Sequence, residues 1–191
     1  MVSLKRQIIL KELFKYKDLI NGYVLDIAGP SVINKEKYNI SSYISLDPDF
    51  SKKPTVVGVA EKIPFANNTF DCVLFLEAIS WVQDPLASVQ EAIRVLKPGG
   101  YLFLSTHFIY PVDQEGSDNF RYTKTSAINL LKNTKIVKIK EIGYLGTFLC
   151  SYLFLLFKTK FLFLFNPLFK LLDKITTNSL FTTGHLFIIT K

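Results

Sequence analysis

The chain reads Val24-Leu25-Asp26-Ile27-Ala28-Gly29-Pro30 and, after a loop, Ile44-Ser45-Leu46-Asp47. An apolar strand running into a glycine turn, followed by a second strand that ends in a carboxylate, restricts the fold more than any other stretch. In a doubly wound sheet such a turn lets backbone approach a ligand closely. The acid at the tip of the second strand, about 20 residues on, can accept hydrogen bonds from both hydroxyls of a ribose. The pair predicts a pocket for a nucleoside-bearing cofactor. Taken alone, Leu-Asp-Ile-Ala-Gly is equally an ordinary buried strand and turn.

The next segments narrow the choice. Phe70 to Leu76 is a continuous apolar run of strand length, as expected of a parallel strand covered on both faces. From Pro85 to Leu96 the residues Leu86, Val89, Ile93 and Leu96 recur at helical spacing, which gives one face to pack on a sheet. Pro98-Gly99-Gly100 is expected to stop that helix and turn the chain into an apolar strand from Tyr101 to Ser105. Strand, helix and strand without hairpin signals predict parallel crossovers in a doubly wound α/β fold.

The blocks Pro64-Phe65-Ala66-Asn67-Asn68-Thr69-Phe70-Asp71 and Arg94-Val95-Leu96-Lys97-Pro98-Gly99-Gly100 carry a family likeness. In order and spacing, from about Val24 to Thr106, the chain resembles the class I S-adenosylmethionine-dependent methyltransferases, in particular the methyltransferase type 11 group. The resemblance implies a Rossmann-like, mostly parallel sheet whose last strand is antiparallel, and S-adenosyl-L-methionine as cofactor. Thr134 to Ile142 and His185 to Thr190 are then the final two strands. A single domain over 1–191 follows, with an N-terminal helix in 1–20, a cofactor-binding core in 21–142, an apolar insertion or cap in 143–183 and the last strand in 184–191.

With 191 residues the chain has room for one well-buried domain. Two cysteines, Cys72 and Cys150, lie in apolar stretches, and neither they nor the two histidines form a disulfide or zinc pattern. Cytoplasmic placement is expected. Lys5, Arg6, Lys11, Lys15 and Lys17 alternate with Leu4, Ile8, Ile9, Leu13 and Phe14, which predicts an amphipathic helix over one sheet edge rather than a secretion signal. The formal net charge of +7 invites an anionic partner. Dispersed lysines without an arginine-rich motif argue against nucleic acid and leave a membrane surface as the expected one.

That expectation draws on Tyr144 to Phe169, a window rich in leucine and phenylalanine that contains no acidic residue. Its first apolar run falls short of the roughly 20 residues a bilayer crossing requires, and Lys158, Lys160 and Asn166-Pro167 interrupt it. Three readings stay open: buried helices capping the sheet, an interfacial segment with Lys158, Lys160, Lys170 and Lys174 facing anionic lipid, or an apolar lid over a lipid-like substrate.

By the resemblance, Asp26, Ala28, Gly29 and Pro30 line the methionine end of the cofactor, Asp47 takes the ribose, Ala60 offers backbone to the adenine, and Glu77 sits beside cofactor and substrate. The pattern departs from the family in three places: Ala28 and Pro30 flank a single Gly29, Val59 replaces an acid, and Trp81 replaces a histidine. After the fifth strand, Asp118-Asn119-Phe120-Arg121-Tyr122-Thr123 looks like an element of a subgroup associated with surface polysaccharide and lipid-linked sugars. Arg121 is a candidate for holding a phosphate or carboxylate, with an ion pair to Asp118 as the structural alternative. His107 is a candidate proton acceptor, or a satisfied strand-end histidine. His185 reads as structural. The expected function is methyl transfer to a small-molecule or lipid-linked, sugar-like acceptor. The alternative is a catalytically silent methyltransferase-like binding or scaffold protein held to a membrane or partner.

Overall fold

The computed structural model describes residues 3–29, 33, 35–111, 118–157, 164–177 and 181–191. Seven strands form one sheet: β1 (Asn21–Ile27), β2 (Asn39–Asp47), β3 (Val56–Val57), β4 (Phe70–Phe75), β5 (Leu96–His107), β6 (Lys135–Ile142) and β7 (Gly184–Thr190). Their order is β3-β2-β1-β4-β5-β7-β6. The five strands from β3 to β5 pair in parallel, and β7 runs antiparallel between β5 and β6. Strand order reverses at β1, which lies between β2 and β4, and open α/β sheets bind ligands at the carboxyl ends of strands beside such a switch.

Alternate residues of the central strands feed opposite cores, as the two-residue period of a strand requires. Leu25, Ile27, Val73, Phe75, Leu102, Leu104, Phe187 and Ile189 pack on one side with Val89, Ala92 and Val95 of α2 (Pro85–Val95) and Ala127 of α3 (Lys124–Leu130). Val24, Cys72, Leu74, Phe103, Leu186 and Ile188 pack on the other with Ile9 and Leu13 of α1 (Leu4–Phe14). The N-terminal helix therefore covers a sheet face, not the edge its composition predicted. Ile9 and Leu13 are four apart, so they project together onto the central strands.

The two family-like blocks are tied to each other. Arg94 donates to the carbonyls of Phe65 (2.8 Å) and Ile63 (2.9 Å), and Glu91 accepts from the Ile63 amide (2.8 Å). Lys97 pairs with Asp71 at 2.7 Å, while Asp71 also accepts from the Tyr23 amide at 2.8 Å. These bonds lock the loop before β4 to the end of α2. The Pro98-Gly99-Gly100 segment differs from expectation: the helix already ends at Val95, Leu96 is extended, and Leu96–His107 is continuous strand. Gly99, left-handed at φ 78°, donates to the backbone of Lys191 and Gly100 accepts from it, so the bend made by this segment lies within the strand and not at the end of the helix.

Between β6 and β7 the apolar window forms two helices, α4 (Leu145–Phe157) and α5 (Asn166–Ile175), and Lys158 and Lys160 lie outside the described residues. Their joint is polar as well as apolar. The buried Asp173 carboxylate accepts from the amides of Tyr144 (3.0 Å) and Thr147 (2.9 Å) and from the Thr147 hydroxyl, which satisfies the first turn of α4 from across the pair. Gly146 is required there, because a Cβ would stand 2.0 Å from the Phe169 carbonyl oxygen. Cys150 and Phe169 then pack on Leu4 of α1. No helix among the described residues is long and apolar enough to cross a membrane.

Candidate active site at the strand tips

A cavity of about 530 Å³ opens at the carboxyl ends of β1, β2 and β4. Ala28, Asp47 and Ala60 line it together, with Ile27, Leu46, Val59, Phe75 and Trp81 among the apolar walls. Asp47 is buried at the last position of β2, where it accepts from the Asp49 amide (2.9 Å) and meets the Lys52 ammonium at 3.3 Å. Its placement follows from strand register: Leu46 of the preceding pleat is held against Ile27, and the chain then turns outward.

Asp26 and Gly29 lie behind the β1 turn. The Asp26 carboxylate accepts from the Tyr43 hydroxyl, and a Cβ on Gly29 would stand 2.7 Å from it, so a side chain there would have to displace that carboxylate. Ala28 adopts a left-handed backbone (φ 59°), the conformation for which glycine is usual, and its amide donates to the Leu46 carbonyl at 2.7 Å. Pro30 lies outside the described residues.

Glu77 does not line that cavity, although Phe75 and Ala78 on either side of it do. It also has a left-handed backbone (φ 60°), fixed by a 2.7 Å bond from its amide to the Ser105 hydroxyl. Its carboxylate oxygen Oε1 meets Lys5 Nζ at 3.4 Å and His107 Nε2 at 3.5 Å. Lys5 is fully buried, and its ammonium also lies 4.6 Å from the Tyr110 ring centre. Burial outweighs the pull of Glu77 and lowers the Lys5 pKa to about 8. Burial, with Lys5 and Arg121 nearby, holds His107 well below the usual imidazole range, so the ring is neutral at neutral pH. Trp81 and Tyr110 flank that ring at 5.8 and 4.8 Å between centres.

The Asp118–Thr123 block braces this wall. The Arg121 guanidinium makes a two-pronged ion pair with Asp118, and it also donates to the carbonyls of Phe120 (3.1 Å) and Pro111 (3.3 Å). The structural alternative weighed for Arg121 is therefore the arrangement present. The amides of Asn119 and Phe120 both donate to the Ser80 carbonyl, and that of Tyr122 donates to the His107 carbonyl. Lys5 is the member that composition concealed: counted with the basic residues of α1, it stands four and eight residues before Ile9 and Leu13, on the stripe that faces the sheet.

The cavity suits a nucleoside cofactor. It has the size of small-molecule sites, apolar walls for a purine, a buried carboxylate at one strand tip and the left-handed Ala28 turn at another. Residues 12–104, just under half of the chain, match the family model described as a methyltransferase domain. The chain is 45% identical over 47 residues to a demethylmenaquinone methyltransferase of Protochlamydia amoebophila, an alignment covering 25% of this chain and 19% of that protein. It is 34% identical over 93 residues to the mitochondrial 2-methoxy-6-polyprenyl-1,4-benzoquinol methylase of Danio rerio, covering 44% of this chain and 28% of that one. The chain thus spans well under half the length of these relatives. A solved S-adenosylmethionine-dependent methyltransferase from Mesorhizobium loti shares the fold, with a TM-score of 0.62 at 14% identity over 94% of this chain and 96% of its own.

Proposed function

We infer, from the membership of this chain in the class I S-adenosylmethionine-dependent methyltransferases, that it moves a methyl group from that cofactor to a small-molecule or lipid-linked acceptor. The observation that carries the reading is the buried Asp47 carboxylate facing one cavity with Ala28 and Ala60. Asp47 is assigned to the ribose hydroxyls and the Ala60 backbone to the adenine, with Asp26, Ala28 and Gly29 at the methionine end. When bound, S-adenosylmethionine supplies an electrophilic methyl on a sulfonium, whose departure as a neutral thioether needs no acid.

What the chain adds is alignment and proton handling. Glu77 and His107, 3.5 Å apart behind the Trp81 side of the cavity, are assigned the role of taking the proton of an acceptor hydroxyl as its oxygen bonds to the methyl carbon. The neutral His107 imidazole keeps one ring nitrogen that accepts a proton. Arg121, committed to Asp118, is assigned to holding the wall and not to gripping the acceptor. The polyprenyl benzoquinol named for one relative is a lipid-tailed ring with hydroxyls, and Trp81, which lines the cavity, offers a flat face to such a ring as it does to a sugar.

The reading is tested by incubating the protein with methyl-labelled S-adenosylmethionine and separate lipid and water-soluble cell extracts. Label is expected in an extract component, and the Glu77→Gln variant is expected to transfer it at least about a hundredfold more slowly. Absence of labelled product from both extracts contradicts the assignment.

A further inference from the structure

The apolar side chains left at the surface are ordered. Leu168, Leu171 and Ile175 recur at intervals of three and four along α5, and Leu164, four residues before Leu168 in the turn that leads into it, extends them into one stripe that is 54–73% exposed. Phe169 and Asp173, on the opposite face, are the buried ones. On α4, Gly146, Thr147 and Cys150 face inward, while Tyr152, Leu155, Leu156 and Phe157 are exposed. This helix pair therefore buries a joint of Gly146, Thr147, Cys150, Phe169 and Asp173 and presents many of its large apolar side chains outward.

Basic groups flank the stripe. Lys170 and Lys174 of α5 share a cleft of about 490 Å³ with Lys11 of α1 and Lys15, which follows it. Of the carboxylates there, Asp173 is engaged by the start of α4, Glu12 by Lys15, and Glu141 by the Tyr144 hydroxyl. No ion pair among the described residues involves Lys11, Lys170 or Lys174. Apolar stripe and cationic cleft meet along one side of α5.

We propose that the outward face of α4 and α5 docks on an anionic membrane surface, with the leucine stripe at the headgroup boundary and the lysine cleft against lipid phosphates. A lipid surface supplies both hydrocarbon and fixed negative charge, which this face requires side by side. The charge argues against a second copy as the occupant. The window 144–169 has no acidic residue and the chain carries +7, so apposing two such faces sets lysines against lysines. The proposal is independent of the cofactor assignment.

The test is flotation of the full chain, without cofactor, with vesicles of equal parts phosphatidylcholine and phosphatidylglycerol and with vesicles of phosphatidylcholine alone. The protein is expected to float with the anionic vesicles and to be largely released by high salt. The double variant L168D/L171D, altered only at exposed positions, is expected to stay at the bottom while keeping the circular dichroism of the parent. K170E/K174E is expected to lose roughly tenfold or more in partitioning to anionic vesicles. Three results overturn the proposal: failure of the parent chain to float, flotation of L168D/L171D equal to the parent, or a parent dimer in solution that L168D/L171D converts to monomer.

Discussion

Replacement of Asp47 by alanine is expected to weaken binding of S-adenosylhomocysteine by roughly a hundredfold, because two charge-assisted hydrogen bonds to the ribose are lost at about 1.5–3 kcal/mol each, partly replaced by water. The position is costly to alter for a second reason: the carboxylate also orders the turn after β2 through the Asp49 amide and the Lys52 ammonium. Asp47→Asn separates the two effects. It keeps the shape and one acceptor oxygen, so the turn should persist while affinity falls by about tenfold. Lys52 is half-exposed, and releasing it into water adds little to either loss. Calorimetric titration of both variants checks the result. Unchanged affinity in Asp47→Ala means that the ribose lies elsewhere.

The second large effect concerns the buried pair. The Lys5 pKa falls from the ordinary 10.5 to about 8, a penalty of about 3 kcal/mol for keeping the ammonium charged in the folded protein. Between pH 8 and 10.5 the unfolded chain holds this proton and the folded chain has released it, so this group makes stability rise with pH across that window. Below pH 8 both states are charged and the folded state bears the full penalty. Glu77 and His107 face Lys5 from the tips of β4 and β5, with the Arg121 charge acting from farther off. Substituting the pair together, Lys5→Met with Glu77→Gln, is expected to leave the protein more stable by about 1–3 kcal/mol at pH 7 and to abolish the alkaline rise, while methyl transfer collapses. Thermal melts across the pH range read the first two effects. A destabilised double variant that still transfers methyl groups at the parental rate makes the pair structural.

Leu4 and Lys5 give α1 a place in both halves of the account. Leu4 packs on Cys150 and Phe169 of the docking helices, and the next residue holds Glu77 at the strand tips. The proposed membrane face and the proposed acceptor wall thus meet through one turn of one helix.

The parallel core was legible because its elements obey local rules. Phe70 to Leu76 is apolar throughout, and the Pro85 helix repeats its apolar residues at helical spacing. The two blocks that carry the family likeness also have a structural reason, since Arg94, Glu91, Lys97 and Asp71 tie their ends together in this fold. Asp47 and Ala28 share a cavity because one ends β2 and the other directly follows β1, places that a sequence does mark, and Ala60 joins them from just beyond the short β3. The Lys5–Glu77–His107 cluster was not legible as a unit. Its members are separated by 72 and 30 residues, counted from Lys5 to Glu77 and from Glu77 to His107, and only the register of three different elements brings them together. The outward orientation of α5 was hidden as well. A stripe of leucines at helical spacing reads as a buried face, whereas here the inward face is the one that carries Asp173, bonded to the amides of Tyr144 and Thr147.

The most direct measurement uses the one tryptophan of the chain. Trp81 is 39% exposed and lines the cavity assigned to the cofactor. Titration with S-adenosylhomocysteine, followed by tryptophan emission, is expected to give a saturable change with a dissociation constant on the order of micromolar, or about −8 kcal/mol. Emission that stays flat to millimolar ligand, from a protein whose thermal melt shows it folded, contradicts the central claim that this cavity is the methyl donor's site.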